Sequence, residues 1–456
     1  MNNKEKYGEI YTSDICIDVM LSMLPRELFK SNTHLHWLDP CTGRGAFIAR
    51  LSTWLEENTE NHTIHACEVN SEHSLHLLDL QRNMKSSIPL CLSFCNFLDY
   101  EPSILYDVII GNPPYNTNGL KKVPTNTLRN KKLDGSTIWP AFIHKSITLL
   151  KEHGFLCMIV PSIWLKPDKA GIYDLMMKHR LLALRSFTSS ETKSIFKGKA
   201  QTPTSIFVLQ KRTGTDDISG TDDGDSLIFL SIYDDLLEDM FSYTHVIGRP
   251  IPAKYPSIVE KITSFLDIYG SMSFIKKTNM PGKEYKDHGI GINLYTSVIS
   301  CVFTSNGTPI LKTQTTYVPM PYQSERKLIM AHKMFGLPYY DSHGQYGISN
   351  RDNYVLLESD IPEGAMDTTT DIMLKYKHFL SSSIVLFLFD TTRYRMRYLE
   401  KYAFELLPNI APSLSEQQCL NDTLICSLFG LDKRETDFVL RNYARYPNVF
   451  SPQYVI

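Results

Sequence analysis

Residues 35–47 read LHWLDPCTGRGAF, and this stretch decides the fold. Leu35 to Leu38 predict a strand, and the apolar side chains after Gly45 recur at helical spacing. Gly43 and Gly45 lack a Cβ, so the backbone between strand and helix can pass close under a ligand. The stretch therefore predicts an α/β fold with a ligand-binding loop. The apolar face of the helix comprises Phe47, Ile48, Leu51, Trp54 and Leu55.

The glycine spacing disfavours a dehydrogenase. A nicotinamide site has a third glycine three positions after the second, where this chain has Ile48. Two further predicted strands end in residues suited to a nucleoside, a carboxylate for the ribose hydroxyls and then a polar group with an apolar face for a purine. These are Glu68 after Thr63 to Cys67, and Asn96 with Phe97 after Leu90 to Phe94.

A fourth predicted strand, Tyr106 to Ile110, leads through Gly111 into the turn Asn112-Pro113-Pro114-Tyr115. The two prolines lack an N–H and hold φ, so the turn stays outside the sheet and its carbonyls keep a fixed direction. The side-chain oxygen of Asn112 and the carbonyl of Pro113 can accept hydrogen bonds from one planar NH2 group, while the Tyr115 ring offers a stacking face. The predicted guest is a planar exocyclic amine on a base or an amide. The alternative is an ordinary strand-ending turn.

The 456-residue length predicts two domains, which we assign to residues 1–245 and 255–456. The longest apolar stretches, such as Ile384 to Phe389, are too short to span a bilayer, so no membrane association is expected. The charged first residues have no apolar core behind them, which predicts a protein that is not secreted and is cytoplasmic or nucleoid-associated. The formal net charge of -2 carries no nucleic-acid signature.

The nine cysteines include no CxxC pair, and we expect reduced core thiols and no metal site.

The order of these motifs resembles the gamma class of N6-adenine DNA methyltransferases, the modification enzymes of many type II restriction systems. The resemblance extends to about residue 212. It implies a class I S-adenosylmethionine-dependent methyltransferase fold, a Rossmann-like α/β sheet of seven mostly parallel strands whose last strand, near Ser205 to Gln210, is antiparallel. It also implies a C-terminal α+β target-recognition domain. The motifs that carry it are Tyr11-Thr12-Ser13, Asp39 to Phe47, Glu68, Asn96-Phe97 and Asn112 to Tyr115.

The resemblance also implies a role for each motif, with S-adenosylmethionine as cofactor and adenine N6 in double-stranded DNA as acceptor. The catalytic residues would be Asn112, Pro113, Pro114 and Tyr115, and Phe196 would stack on the flipped-out adenine opposite Tyr115. The methionine part of the cofactor would be held by Thr12, Asp39, Pro40, Gly43 and Gly45, the ribose by Glu68, and the adenine by Asn96 and Phe97. The expected assembly is a monomer that acts beside a separate restriction endonuclease. For Phe196, packing in the core is the alternative.

Three segments are candidate DNA contacts. A basic loop after Tyr115 could bind phosphates, and two polar or arginine-rich patches in the C-terminal half could read base edges. A solvated loop and a packed helix face are the alternatives. The residues concerned are Lys121, Lys122, Lys131 and Lys132 in the loop, Arg393, Arg395 and Arg397 in one patch, and the segment 333–350 in the other.

Other functions remain compatible with the turn after Gly111. An amide or an RNA base amine also fits it, so an RNA or protein-glutamine methyltransferase is an alternative. A catalytically silent DNA-binding relic is another. A cytosine-N4 enzyme more often has Ser in place of Asn112.

Overall fold

The computed structural model describes residues 7–8, 10–84, 88–117, 136–167, 171–212, 227–285, 293–303, 308–332, 337–362, 371–395 and 398–443. The chain forms two compact units. The first comprises Met1–Tyr233 and Leu237–Gly248, and the second comprises Asp234–Leu236 and Arg249–Ile456.

The first unit alternates strands and helices along the chain. Its strands are β1 (Leu35–Asp39), β2 (His62–Cys67), β3 (Leu90–Ser93), β4 (Tyr106–Gly111), β5 (Asn116–Thr117), β6 (Ser136–Thr137), β7 (Leu150–Pro161), β8 (Arg180–Phe187), β9 (Thr204–Gln210), β10 (Leu227–Asp234) and β11 (Asp239–Val246). Its helices are α1 (Asp14–Ser22), α2 (Ala46–Trp54), α3 (Ser74–Asn83), α4 (Trp139–Leu149), α5 (Ile172–Met177) and α6 (Ser189–Ile195).

One sheet organises this unit, with the strand order β11-β10-β8-β9-β7-β4-β1-β2-β3. Strands β3, β2, β1, β4 and β7 are parallel, and β9 runs antiparallel to both β7 and β8. This is the class I methyltransferase fold, and the predicted reversed strand is confirmed. The sheet has nine strands rather than seven, because β10 pairs in parallel with β8 and carries β11 beyond it. The two added strands cover what would otherwise be an exposed edge at β8.

Strands β1 and β4 are neighbours at the centre of the sheet. From β1 the chain continues to β2 on one side, and from β4 it continues to β7 on the opposite side, so the strand order reverses between β1 and β4. In open α/β sheets a crevice forms outside the carboxyl ends of the strands at such a point. Both strands are buried along nearly their whole length. The residues that follow their ends, and the end of β2, therefore meet at one edge of the sheet.

Helices α1 and α2 are joined by a polar contact. Arg50 on α2 donates from Nη2 to both carboxylate oxygens of Asp18 on α1, at 2.7 and 2.6 Å. The indole N–H of Trp54 donates to the same carboxylate at 3.0 Å. The start of α1 is thereby held in a defined position relative to the glycine loop that precedes α2.

The second unit is a mixed α+β structure, as expected from its sequence. Its strands form two sheets of order β12-β18-β15-β16 and β14-β13-β17. The strands are β12 (Lys276–Lys277), β13 (Tyr295–Phe303), β14 (Pro309–Thr316), β15 (Lys327–Ala331), β16 (Tyr339–Asp341), β17 (Tyr346–Ile348) and β18 (Asn353–Leu357). The helices are α7 (Pro256–Thr263), α8 (Leu266–Tyr269), α9 (Ile372–Leu380), α10 (Ser383–Thr391), α11 (Glu416–Leu420), α12 (Asp422–Leu428) and α13 (Lys433–Asn442).

Among the described residues, no single helix has the length and hydropathy needed to cross a membrane. The bent pair α9 and α10, at 57°, meets that criterion only when the two helices are taken together. Both helices contribute to the hydrophobic core of the second unit.

Candidate active site

A cleft lies at the carboxyl edge of the sheet, and eight of the twelve residues predicted for catalysis and cofactor binding line it. The lining includes Thr12, Pro40, Gly43, Glu68, Asn96, Phe97, Asn112 and Pro114. Other lining residues were not predicted as contacts, among them Tyr7, Tyr11, Val69 and Phe142. Their positions depend on how distant segments pack, and the sequence contains no signal for that beyond their closeness to the motifs.

Glu68 ties the glycine loop to the end of β2. Its Oε2 accepts a hydrogen bond from the Gly43 N–H at 2.7 Å, and its Oε1 accepts one from the Asn70 N–H at 2.6 Å. The residue is only 8% exposed. A carboxylate oxygen has two lone pairs, so a bond to one backbone N–H does not by itself prevent it from accepting a hydroxyl hydrogen. Glu68 is thus both an organiser of the loop and a suitable ribose acceptor.

The two glycines of the loop have different surroundings. Both have positive φ, +54° at Gly43 and +84° at Gly45. A Cβ at Gly43 would meet no atom closer than Tyr11 Cε1 at 4.0 Å, whereas a Cβ at Gly45 would lie 2.4 Å from a methyl carbon of Leu80. Gly45 is therefore required for the packing of α2 against α3. Close approach to a ligand remains a prediction for this position.

Asp39 ends β1 and lies beneath the loop, outside the cleft lining. Its Oδ1 accepts the Cys41 N–H at 3.1 Å, and its Oδ2 is buried without a partner among the described residues. Burial raises the pKa of Asp39 to about 7, and the neighbouring Glu68 carboxylate adds to the rise while hydrogen bonds oppose it. A buried carboxylate of this kind fits a nearby cation, such as a sulfonium or ammonium group.

The segment after β3 forms the far wall of the cleft. Both ends of the Asn96 side-chain amide bond residues that follow closely in sequence: Oδ1 accepts the Leu98 N–H at 3.3 Å, and Nδ2 donates to Asp99 at 2.8 Å. The Phe97 ring packs on Phe142 with centroids 5.2 Å apart. These two rings supply an apolar wall suited to a purine.

The amide of Asn112 has one end satisfied and the other open. Nδ2 donates to the Ile10 carbonyl at 3.3 Å and to Thr12 Oγ1 at 3.1 Å. A carbonyl oxygen can only accept, so the partner Ile10 fixes which end of the amide is the nitrogen. The opposite atom, Oδ1, is buried and has no hydrogen-bond partner in the described part of the chain. Thr12, predicted as a cofactor contact, lines the cleft but directs its oxygen at Asn112.

Two other contacts position the turn. The Cys41 thiol donates to the backbone carbonyl of Asn112 at 3.1 Å. A Cβ at Gly111 would lie 3.0 Å from Pro40 Cδ, so a larger residue would push the end of β4 away from the glycine loop.

The nine cysteines are all free thiols. The expectation that they lie in the core is wrong for three of them, because Cys41 and Cys95 are half-buried and Cys91 is exposed.

Tyr115 and Phe196 contact each other in an edge-to-face arrangement. Their centroids are 6.5 Å apart with an interplanar angle of 90°. Phe196 is 1% exposed and Tyr115 is 7% exposed. The Tyr115 hydroxyl donates to the Ile159 carbonyl at 3.4 Å. In this conformation the pair packs in the core, and stacking of a base between the rings stays a prediction.

The predicted DNA contacts divide into three groups. Lys121, Lys122, Lys131, Lys132 and Arg397 lie outside the described residues. Arg393 has a side chain only 14% exposed, 3.5 Å from Asp390, so it is not an exposed cation. Arg395 is 55% exposed and lies 3.7 Å from Glu400. The structure therefore does not present the two described arginines as one basic patch, because Arg393 is occupied in packing and ion pairing.

Part of the segment 333–350 lies on a rigid scaffold. The ammonium of Lys327 and the carboxylate of Asp341 form an ion pair at 2.7 Å with side chains 0% and 2% exposed. Asp341 also accepts the backbone N–H groups of Gln345 and Tyr346 at 2.8 and 3.0 Å. The turn between β16 and β17 is therefore fixed, with His343 and Gln345 exposed on it.

Part of the first unit is similar to a known protein family. Residues 42–195 match the Eco57I restriction-modification methylase family. The matched segment covers the glycine loop from Thr42 onward, Glu68 and the turn at Asn112, and it ends one residue before Phe196. This match and the class I fold support S-adenosylmethionine as the cofactor.

Individual relatives also match over part of the chain. The type II methyltransferase M.TthHB8I of Thermus thermophilus is 34% identical over 137 residues, which are 26% of this chain and 29% of that protein. The chain thus matches less than a third of the length of this relative. Two solved structures are also similar. A type I restriction-modification methyltransferase subunit from Streptococcus thermophilus has a TM-score of 0.35 and 14% identity, covering 50% of this chain and 48% of that one. The EcoKI M protein has a TM-score of 0.33 and 19% identity, covering 47% of each chain.

Proposed function

We propose that the protein transfers a methyl group from S-adenosylmethionine to N6 of an adenine that is flipped out of double-stranded DNA. The observation that carries the proposal is the buried, unpaired Oδ1 of Asn112 beside the cofactor cleft. A buried polar atom without a partner is costly and rare in native structures, and a catalytic role is one explanation for it. An exocyclic NH2 group donates the hydrogen bond that this oxygen lacks.

The chemistry requires acceptors rather than a nucleophilic side chain. The lone pair of adenine N6 is delocalised into the ring, which makes the nitrogen a poor nucleophile. Asn112 Oδ1 and the Pro113 carbonyl, aligned with the two N–H bonds, would draw the nitrogen toward tetrahedral geometry and localise the lone pair. Bound S-adenosylmethionine supplies an electrophilic methyl on a sulfonium. The rate enhancement then comes from positioning of the reacting groups and electrostatic stabilisation of the transition state, with no covalent intermediate on the protein.

The cofactor residues follow from the lining of the cleft. Glu68 would accept the ribose hydroxyls while it keeps its two backbone hydrogen bonds. Phe97 and Phe142 would cover the adenine, with Asn96 shaping the turn. The loop from Pro40 to Gly43 would hold the methionine part, and Asp39 beneath it would favour the positive charge.

The target base must leave the duplex, which costs a few kcal/mol. Stacking on Tyr115 would offset this cost by about 1 to 3 kcal/mol. Because Tyr115 now packs edge to face on Phe196, the ring must turn or part from Phe196 to offer its face. We propose residues 255–456 as the target-recognition domain. One chain supplies both the cofactor cleft and the acceptor turn, which is consistent with a monomer acting beside a separate endonuclease.

The test is to express the protein in a methylation-free bacterial strain, digest the DNA to nucleosides and identify modified bases by mass spectrometry. N6-methyladenine is expected with the wild type, and Asn112→Ala is the negative control. The substitution Asn83→Ala, at the exposed end of α3, is the matched control and should leave methylation intact. N4-methylcytosine instead would overturn the choice of base.

The alternatives separate in the same experiment. Unmodified DNA together with methylated RNA or glutamine side chains would replace the DNA proposal with one of the other amine acceptors. Unmodified substrates of all three kinds, with DNA binding retained, would indicate a silent relic.

A further inference from the structure

The residues before α1 cross the catalytic turn and the glycine loop. We call residues 7–8 and 10–12 the lead-in segment. Gly8 has φ +69°, and a Cβ there would lie 2.2 Å from the Asn116 carbonyl oxygen and 2.9 Å from Pro114 Cβ. The backbone at Gly8 thus packs directly on the chain that leaves the turn. Only glycine fits this approach without displacing it.

Farther along, the same segment lies over the glycine loop. The Tyr11 ring is within 4.0 Å of the position of a Cβ on Gly43. Two cations flank this ring, the Arg44 guanidinium at 5.5 Å and the Lys199 ammonium at 4.7 Å from its centroid. The lead-in segment therefore has contacts at both ends, with the turn on one side and the cofactor loop on the other.

Between these contacts, the segment holds the Asn112 amide. The Ile10 carbonyl and Thr12 Oγ1 accept the two amide hydrogens. Rotating the amide by 180° would lose the Ile10 bond, set Oδ1 against the Ile10 carbonyl oxygen and require the Thr12 hydroxyl to donate in place of accepting. Thr12 directly precedes Ser13 and α1, whose position is fixed by Asp18 through its bonds to Arg50 and Trp54 on α2. Helix α2, which follows the glycine loop, is thus linked through α1 and Thr12 to the Asn112 amide.

We propose that Thr12 is a positioning residue that, with the Ile10 carbonyl, fixes the Asn112 amide so that Oδ1 faces the acceptor amine. The role of Oδ1 rests on the proposed function, whereas the orientation of the amide does not. Thr12 acts through Asn112 and contributes to the rate of methyl transfer, not to the affinity for the cofactor. This differs from the cofactor contact that the family resemblance implies for Thr12.

The decisive variants are Thr12→Val, which removes the acceptor oxygen at nearly constant shape, and Thr12→Ser, which retains it. Thr12→Val should lower the single-turnover methyl-transfer rate about 10- to 100-fold, the size expected when a reacting group is misplaced by about 1 Å. The cofactor Kd should stay within about threefold. Thr12→Ser should restore the rate. The matched control is Thr53→Val on the exposed face of α2, where the hydroxyl bonds only the Ala49 carbonyl.

A second readout does not need activity. In 15N-labelled protein the side-chain NH2 signals of Asn112, assigned by their loss in Asn112→Asp, should exchange slowly with solvent. In Thr12→Val they should exchange faster, and in Thr12→Ser they should be protected again. Slow exchange that is unchanged in Thr12→Val would refute the inference. So would a rise in cofactor Kd that accounts for the whole loss of rate.

The two arms separate this inference from the proposed function. If the wild type methylates no DNA, the proposed function fails, and the exchange of the Asn112 NH2 group still decides whether Thr12 orients it. A second variant checks the segment as a whole. Gly8→Ala should displace it from Pro114 and Asn116 and should speed the same exchange while Thr12 is intact.

Discussion

The carboxylate of Glu68 offers the sharpest quantitative test of the cofactor site, through the substitution Glu68→Gln. In the wild type both oxygens accept short backbone hydrogen bonds, from Gly43 at 2.7 Å and Asn70 at 2.6 Å. Glutamine replaces one oxygen by NH2, which is a donor. Whichever way the amide turns, a donor then faces a backbone N–H, and one ribose acceptor is lost as well.

The size of the effect follows from the charge on the acceptor. A hydrogen bond to a charged group contributes about 1.5 to 3 kcal/mol. Losing one such bond corresponds to about a 10- to 150-fold change in an equilibrium constant. We therefore expect Glu68→Gln to raise the S-adenosylmethionine Kd by at least about tenfold. Glu68→Ala should fall near the upper end of that range, because it removes both acceptors.

Isothermal titration calorimetry with S-adenosylmethionine measures the Kd, and thermal unfolding without ligand measures how much the loop alone loses. Glu27→Gln, at an exposed position, is the control and should leave both unchanged. A Kd within about twofold of wild type would refute the ribose assignment. A lowered melting temperature with that unchanged Kd would leave Glu68 as a loop anchor only.

Three further predictions concern catalysis, pH and DNA binding. Asn112→Ala should abolish methyl transfer in a nucleoside assay but keep the cofactor Kd within about tenfold, since its oxygen serves the transition state; comparable turnover would exclude that role. Because burial raises the folded-state pKa of Asp39 to about 7 from 3.8, wild-type stability should fall as pH rises between these values. Asp39→Asn should therefore stabilise the protein at pH 8 by about 3 to 4 kcal/mol at most and not at pH 3.5 in urea unfolding, and equal gains at both would contradict the shift. Arg395→Ala should weaken DNA binding and lower the slope of log K against log salt by about 0.9 in filter binding, whereas Arg393→Ala should mainly lower the melting temperature, given its 14% exposure. An unaltered salt slope for Arg395→Ala would remove it from the DNA interface.

Much of the fold could be predicted from local patterns. The strands before Asp39, Glu68 and Asn112 are short apolar runs that end in turn residues, and this periodicity is a property of neighbouring residues. The antiparallel strand near Ser205 to Gln210 came from the family resemblance. The added strands β10 and β11 were not predicted from the sequence. They follow an acidic, glycine-rich stretch, and they join the sheet because β10 pairs with β8, which no local pattern specifies.

The residues of the site were easier to predict than their partners. Glu68 was expected to contact a ribose, yet its bonds to the Gly43 and Asn70 N–H groups depend on how the loop folds over it. Gly45 was expected beneath a ligand, and its missing Cβ instead faces Leu80. The sequence identifies a residue type and a turn, whereas the identity of the contacting atom depends on packing.

The sequence alone determined the class of chemistry that we propose, because a turn with two prolines, a glycine loop and a carboxylate at a strand end are each encoded within a few consecutive residues. The tertiary structure decided how the Asn112 amide is oriented. Asn112 and Thr12 are 100 residues apart, and only the folded chain brings the hydroxyl oxygen within 3.1 Å of the amide nitrogen. An amide has two ends of nearly equal size and opposite hydrogen-bonding character, so its orientation is set by the groups packed against it and by nothing in its own sequence neighbourhood.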